Sequence, residues 1–191
     1  MMANPMSSVT ESPDSLLSAC NVMVGYGGRP MFRPLSFSLK KGQCIGFIGR
    51  NGSGKSTLLE TLLLLKEPLA GQITSDAKIL VSYVAQRFQS ASLLHIPVSE
   101  YIHLGRCHGN AILERIKQNK YDARQNDILQ TLHISSLWKS HLSELSIGQL
   151  QRVCLAHALI SKPDVLFLDE PTSAMDMRYE QIVFEFIKKK K

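Results

Sequence analysis

No stretch of this chain is apolar for long enough to cross a membrane: glycine aside, no apolar run exceeds four residues, as in the leucines at 62–65, against the roughly 20 residues that a spanning helix needs. The start of the chain, MMANPMSSVTESPDS, has neither a basic opening nor an apolar segment, so it does not read as a secretory signal, and its Ser/Pro content predicts a disordered leader over about residues 1–15. Cysteine is sparse. Cys20, Cys44, Cys107 and Cys154 show no C-x-x-C spacing, which argues against a redox or zinc-ribbon motif and predicts buried thiols in a reducing cytosol. His103, Cys107 and His108 could share part of a helical face, but no fourth ligand is apparent, so they fall short of a tetrahedral metal site. A basic face is also lacking: of the formal charge of +6, the lysine run at 188–191 supplies four. That run reads as a solvated tail, and no nucleic-acid partner is expected. No internal repeat is found, which argues against a tandem architecture.

What is present is concentrated in a few short motifs. Residues 49–56 read GRNGSGKS, a full match to G-x-x-x-x-G-K-[ST], and the apolar run CIGFI (44–48) precedes it as a candidate buried strand. TLLETLLLL (57–65) follows as a helix former. The composition has a chemical reason. Gly49, Gly52 and Gly54 let the backbone wrap closely around an anion, while consecutive N–H groups, with Asn51 and Ser53 between the glycines, and the helix N-terminus point at phosphate oxygens. Lys55 supplies a point charge near the β and γ phosphates, and Ser56, followed by Thr57, can hold Mg²⁺. The expected cofactors are therefore ATP and Mg²⁺.

Downstream, LVSYVA (80–85) alternates like a strand. Between residues 88 and 138 the texture becomes helical, with candidate helices at 98–104, 111–117 and 127–132, as in a lobe inserted into an α/β core. The apolar run VLFL (165–168) follows the breaker Lys162-Pro163-Asp164 and closes on Asp169-Glu170-Pro171. Carboxylates at the C-terminal end of a buried strand face the crevice where ligands bind in doubly wound sheets. Asp169 is suited to hold Mg²⁺ through water, and Glu170 to orient or deprotonate an attacking water. Taken alone, the same three residues could equally be a turn before a helix.

Between these sites, residues 145–152 read LSIGQLQR. This closely resembles the LSGGQ signature of ATP-binding cassette (ABC) ATPases, and phosphate loop, signature and Asp-Glu-Pro occur in that family's order. The resemblance covers about residues 16–187. It implies an α/β fold of the P-loop NTPase type, a RecA-like ABC ATPase core at about 16–87 and 159–191 with a helical subdomain at about 88–158. It further implies that Tyr26 stacks on adenine, that Gln86 senses the γ-phosphate and its Mg²⁺ and takes part in catalysis, that residues 173–176 form the D-loop, and that Ser146, Gly148 and Gln149 contact the nucleotide of a partner. Two such subunits would pair head to tail, coupled to an integral-membrane permease and served by a substrate-binding protein. The expected location is cytoplasmic, peripheral at the inner face of the cell membrane. YVAQR (83–87), IPV (96–98) and LGR (104–106) look like the helical lobe of zinc/manganese-type uptake cassettes, although iron-chelate cassettes share parts of it.

Two departures from the family pattern stand out. Ile147 occupies a position where the motif has glycine, and a β-branched side chain there is stiff and bulky. After Glu170 there is no histidine, whereas the family's switch histidine follows a further central strand. The resemblance thus implies a cassette truncated before its C-terminal strands, with QIVFEFI (181–187) as the helix leading to the missing one. The alternative functions are a nucleotide-binding fragment without turnover and a non-transport ABC ATPase.

Overall fold

The structure, a computed structural model, describes residues 15–76, 78–85, 95–106, 121–171, 179, 181 and 183. The chain forms two compact units that divide between Ile79 and Leu80. In the first unit, β1 (Ser15–Met23) lies between β4 (Leu35–Lys40) and β5 (Ala70–Ser75), antiparallel to both. The register of β1 shifts between Ala19 and Val22 against β4. Asn21 sits inside this irregularity at φ 50, a left-handed conformation that asparagine tolerates better than most residues, and its N–H donates to Ser36 Oγ at 2.8 Å. A short ribbon of β2 (Gly25–Tyr26) and β3 (Arg29–Pro30) follows β1, and helix α1 (Lys55–Leu62) buries Leu58, Leu59 and Leu62.

Residues 44–48 do not form the expected strand. A strand exists through its ladder, and no strand pairing among the described residues includes this run. Its isoleucines are consequently out in solvent, Ile48 fully and Ile45 in part, while Phe47 meets Phe37 of β4 edge to face at 5.7 Å. Helix α1 also ends sooner than the leucine run suggests. Leu64 adopts φ 58, which a helix cannot continue through, and the chain turns back there. Cys20 and Cys44 are exposed and only Cys154 is buried among the described cysteines, so the expectation of buried thiols holds for one of three. Its burial pushes the Cys154 thiol up to about 11.

The second unit is organised around one helix. In α4 (Ile147–Ile160), Leu150, Val153, Cys154, Leu155, Ala156, Ala158, Leu159 and Ile160 are all buried, so the helix is apolar nearly all round, as a central helix must be. It packs against α2 (Val98–Leu104), α3 (Ala123–Thr131) and the strand β6 (Val81–Val84). Ile102, Ile128 and Ile134 are fully buried in that core, each contributing about 1.5–3 kcal/mol by burial. Asp122 caps α3, its carboxylate accepting from the Gln125 N–H at 2.8 Å while the Gln125 side chain accepts from the Asp122 N–H. Strand β7 (Val165–Leu168) pairs parallel with β6, from Val81 opposite Val165 to Val84 opposite Leu168. The helix expected at 98–104 and the strand expected at 165–168 form at those bounds. The candidate helix at 111–117, most of 181–187, Cys107 and His108 lie outside the described residues.

Candidate functional site

In the first unit the phosphate-loop motif forms a tight turn closed by the Ser53 N–H donating to Arg50 O at 3.1 Å. Gly54 caps α1 at φ 95, where a side chain would be strained and would also meet Met31 Sδ at 3.0 Å and Phe32 at 3.2 Å. A Cβ at Gly49 would come within 2.6 Å of Ser53 Oγ. These close approaches account for two of the three glycines. No side chain caps α1 and no acidic residue lies in its first turn, so the first N–H groups of the helix and its positive dipole end suit an anion. The Lys55 ammonium donates to Gly49 O at 3.0 Å and Arg50 O at 3.2 Å. Asn51, Gly52 and Ser53 are exposed, Lys55 and Ser56 half-buried, and Thr57 buried.

Tyr26 belongs to the same cluster. Its hydroxyl lies 3.3 Å from Thr57 Oγ1 and accepts from Lys66 Nζ at 2.7 Å. Lys66 in turn pairs with Glu60 at 2.6 Å. The bond from Lys66, then that to Thr57, holds the Tyr26 phenol below its ordinary pKa. The ring itself is more than half exposed, at 57%, and so is open to a stacking partner.

In the second unit, Ser146 is the N-cap of α4. Its Oγ accepts from the Gln149 N–H at 3.3 Å, and the Gln149 side chain accepts from the Ser146 N–H at 2.9 Å. A capping box of this kind stabilises the helix start and leaves the hydroxyl its own proton to donate. Ile147, the first residue of α4, is 72% exposed, and Gly148 is half-buried. At the end of β7, Asp169 is only 4% exposed and its N–H donates to Val84 O at 2.9 Å, which extends the parallel ladder to the carboxylate. Glu170 turns sharply at φ 48. A buried carboxylate at this place suits a hard cation, because burial of an uncompensated charge is costly.

Gln151 is a residue that the motifs did not single out. It is 1% exposed, and its Nε2 donates to Glu170 O at 3.2 Å. The signature helix and the turn carrying Glu170 are thereby joined. The available signal was a lone amide on an otherwise apolar helix face, since a buried amide must find partners. Thus the structure brings Tyr26 to the phosphate loop, and the signature helix to the Asp169-Glu170 turn. Gln86 and residues 173–176 lie outside the described residues. His103 donates to or accepts from the Tyr121 hydroxyl at 3.2 Å and stacks on that ring. Among the described residues no group of three or more side chains could hold a metal ion, and no helix is long and apolar enough to cross a membrane.

Comparison with known proteins places these motifs in context. The family model described as ABC transporter matches residues 32–173. The zinc import ATP-binding protein ZnuC of Buchnera aphidicola subsp. Schizaphis graminum is 36% identical over 90% of this chain and 67% of its own length. Its namesake from Psychrobacter arcticus is 35% identical over the same shares, 90% and 67%. A solved transporter described as of metal-chelate type, in an inward-facing conformation, superposes with a TM-score of 0.70 at 30% identity, over 92% of this chain and 67% of that one. A Pyrococcus furiosus protein described as an ABC transporter ATP-binding protein gives 0.73 at 26% identity, over 91% and 84%. The chain therefore spans about two thirds of the length of these zinc-import relatives.

Proposed function

Starting from the premise that this chain belongs to the ABC transporter family and carries its ATP-binding cassette, we propose that it couples ATP binding and hydrolysis to the uptake of a metal ion, zinc in the first instance, through an integral-membrane permease. The observation that carries the nucleotide reading is the phosphate loop. An uncapped helix start, a glycine that admits no side chain, and an ammonium held on the loop's own carbonyls form a cradle for the polyphosphate of ATP. The zinc reading is supported by the relatives, whose names declare zinc import at 35–36% identity.

In this reading Lys55 exchanges its loop carbonyls for phosphate oxygens, and Asn51, Gly52, Ser53 and Thr57 line the polyphosphate with backbone and side-chain donors. Tyr26 stacks on the base. Ser56 on the phosphate loop and, considered separately, Gln86 and the buried Asp169 are the residues of this chain suited to Mg²⁺, an ion that would supply charge neutralisation on the phosphates. Glu170 holds the attacking water and accepts its proton. Ser146, Gly148 and Gln149 reach the nucleotide of a second copy paired head to tail, the Ser146 hydroxyl donating outward while its cap bond keeps α4 in place. The subunit works at the inner face of the membrane, against the permease.

The test is co-purification and transport in one strain. A tagged chain expressed in its own cells should retain a small integral-membrane permease, and deleting its gene should abolish uptake of radioactive zinc, with Lys55→Ala failing to restore it. Ribosomes in place of a permease, or unchanged zinc uptake in the deletion strain, would overturn the transport reading.

A further inference from the structure

Tyr26 is held at its tip by more than a base-stacking ring requires. Its hydroxyl accepts from Lys66 Nζ at 2.7 Å and lies 3.3 Å from Thr57 Oγ1. A phenol oxygen that accepts from an ammonium still has its own proton, so it can donate to the threonine. Lys66 is tied to Glu60 at 2.6 Å, and its ammonium lies 4.8 Å from the centre of the Tyr26 ring. Three of the four groups come from α1 or the turn after it. Thr57 and Glu60 are three residues apart on one helical face, and the left-handed turn at Leu64 precedes the return of Lys66. Tyr26 arrives from a separate ribbon, β2–β3. The only covalent route between the ring and the helix therefore runs through some 30 residues, and side-chain bonds fix their spacing.

We propose that Lys66 is a positioning residue for nucleotide-base recognition: anchored by Glu60, it fixes the Tyr26 ring at a set distance and tilt from the phosphate loop, so that base and polyphosphate are bound together. The inference rests on the nucleotide reading above and adds a residue to it. A ring held from two sides at its tip loses little freedom on stacking, and pre-organisation of this kind raises affinity by lowering the ordering cost. The Lys66 ammonium is engaged by the Tyr26 hydroxyl and the Glu60 carboxylate, so on this proposal it acts through Tyr26 and its effect should be confined to ligands that carry a base.

The experiment compares Mg·ATP with inorganic tripolyphosphate, which offers the phosphates without the base, by calorimetry on the full chain. Lys66→Met should weaken ATP binding about 2- to 10-fold, the value of one or two hydrogen bonds, and leave tripolyphosphate binding unchanged. Lys66→Arg should keep ATP binding within about twofold of wild type, because it restores a cationic donor. Glu60→Gln keeps Lys66 and loosens its anchor, so it should give a smaller loss than Lys66→Met and serves if that variant folds poorly. A spectroscopic signature accompanies these: absorbance titrations with and without Tyr26→Phe, taken in the wild-type and in the Lys66→Met background, should show Tyr26 ionising at higher pH in the second. Equal loss for ATP and tripolyphosphate, or no loss for ATP, would overturn the positioning role alone. Wild-type protein that binds neither ligand would overturn the nucleotide reading and this one with it.

Discussion

Replacing Ile147 by glycine should strengthen ATP-dependent pairing of two copies at a cost of about 1 kcal/mol to the folded monomer. Ile147 is the first residue of α4, and 72% of it is exposed. Full burial of such a side chain is worth about 1.5–3 kcal/mol, so the small covered part contributes about 0.5–1 kcal/mol. The lower helix propensity of glycine adds about 0.5 kcal/mol in a helix interior and less at the first position, where the Ser146–Gln149 capping box already fixes the start. Together these predict a fall in Tm of about 2–6 °C for a chain of this size. The gain is of another kind. An exposed β-branched side chain that must be accommodated against a partner's nucleotide costs about 1–3 kcal/mol if it overpacks the contact, and the head-to-tail pair has two such contacts, so removing both should raise the dimer association constant at least about 30-fold. Analytical ultracentrifugation with Mg·ATP, with Glu170→Gln present in both proteins to slow hydrolysis, reads this directly. Monomer affinity for ATP should stay within about twofold. Unchanged dimerisation would refute the argument, as would an equal rise in the affinity of the monomer for ATP.

Two further outcomes follow from single interactions. The Asp122 carboxylate, bonded to the Lys162 ammonium and to the Gln125 N–H, is held below the usual carboxylate range. A depressed folded-state pKa gives stability that is present above the unfolded value near 4 and is lost as pH falls through the lower folded one. Asp122→Ala should therefore lower stability by about 1 kcal/mol at pH 7, chiefly through the lost cap, and by less at pH 3 in urea titrations; an equal difference at both values would rule out the charge. Gln151→Leu, close to isosteric, removes the donor to Glu170 O and should cost about 1–3 kcal/mol of stability. In steady-state assays it should lower kcat more than it raises KM for ATP, and the reverse pattern would show that Gln151 does not position Glu170.

Local patterns were readable where local forces decide. In α2, Val98 and Ile102 recur at helical spacing after Pro97, and in β7 an apolar run is bounded by Lys162-Pro163-Asp164; both elements form where that pattern ends. In the phosphate loop Gly49 answers to a near neighbour, Ser53, which a local pattern can carry, whereas the crowding of Gly54 by Met31 and Phe32 comes from a distant part of the sequence. The run at 44–48 failed because five apolar residues say nothing about whether a neighbouring strand will pair with them. The leucines at 62–65 failed for a related reason: propensity favours continuing α1, but the turn at Leu64 brings Lys66 to Tyr26, forty residues away in sequence. The role of Gln151 is not legible in the sequence because its partner is the backbone of Glu170, which no side-chain pattern reveals.

The central claim, that residues 49–57 bind the polyphosphate of ATP, is tested most directly by calorimetric titration of Mg·ATP into the wild-type chain and into Lys55→Ala. The ammonium that now rests on Gly49 O and Arg50 O would make charge-assisted bonds to phosphate worth about 1.5–3 kcal/mol. The account predicts a dissociation constant about 10- to 150-fold higher for the variant, at an unchanged Tm without nucleotide to within a few degrees. Equal affinity in the two proteins would contradict it.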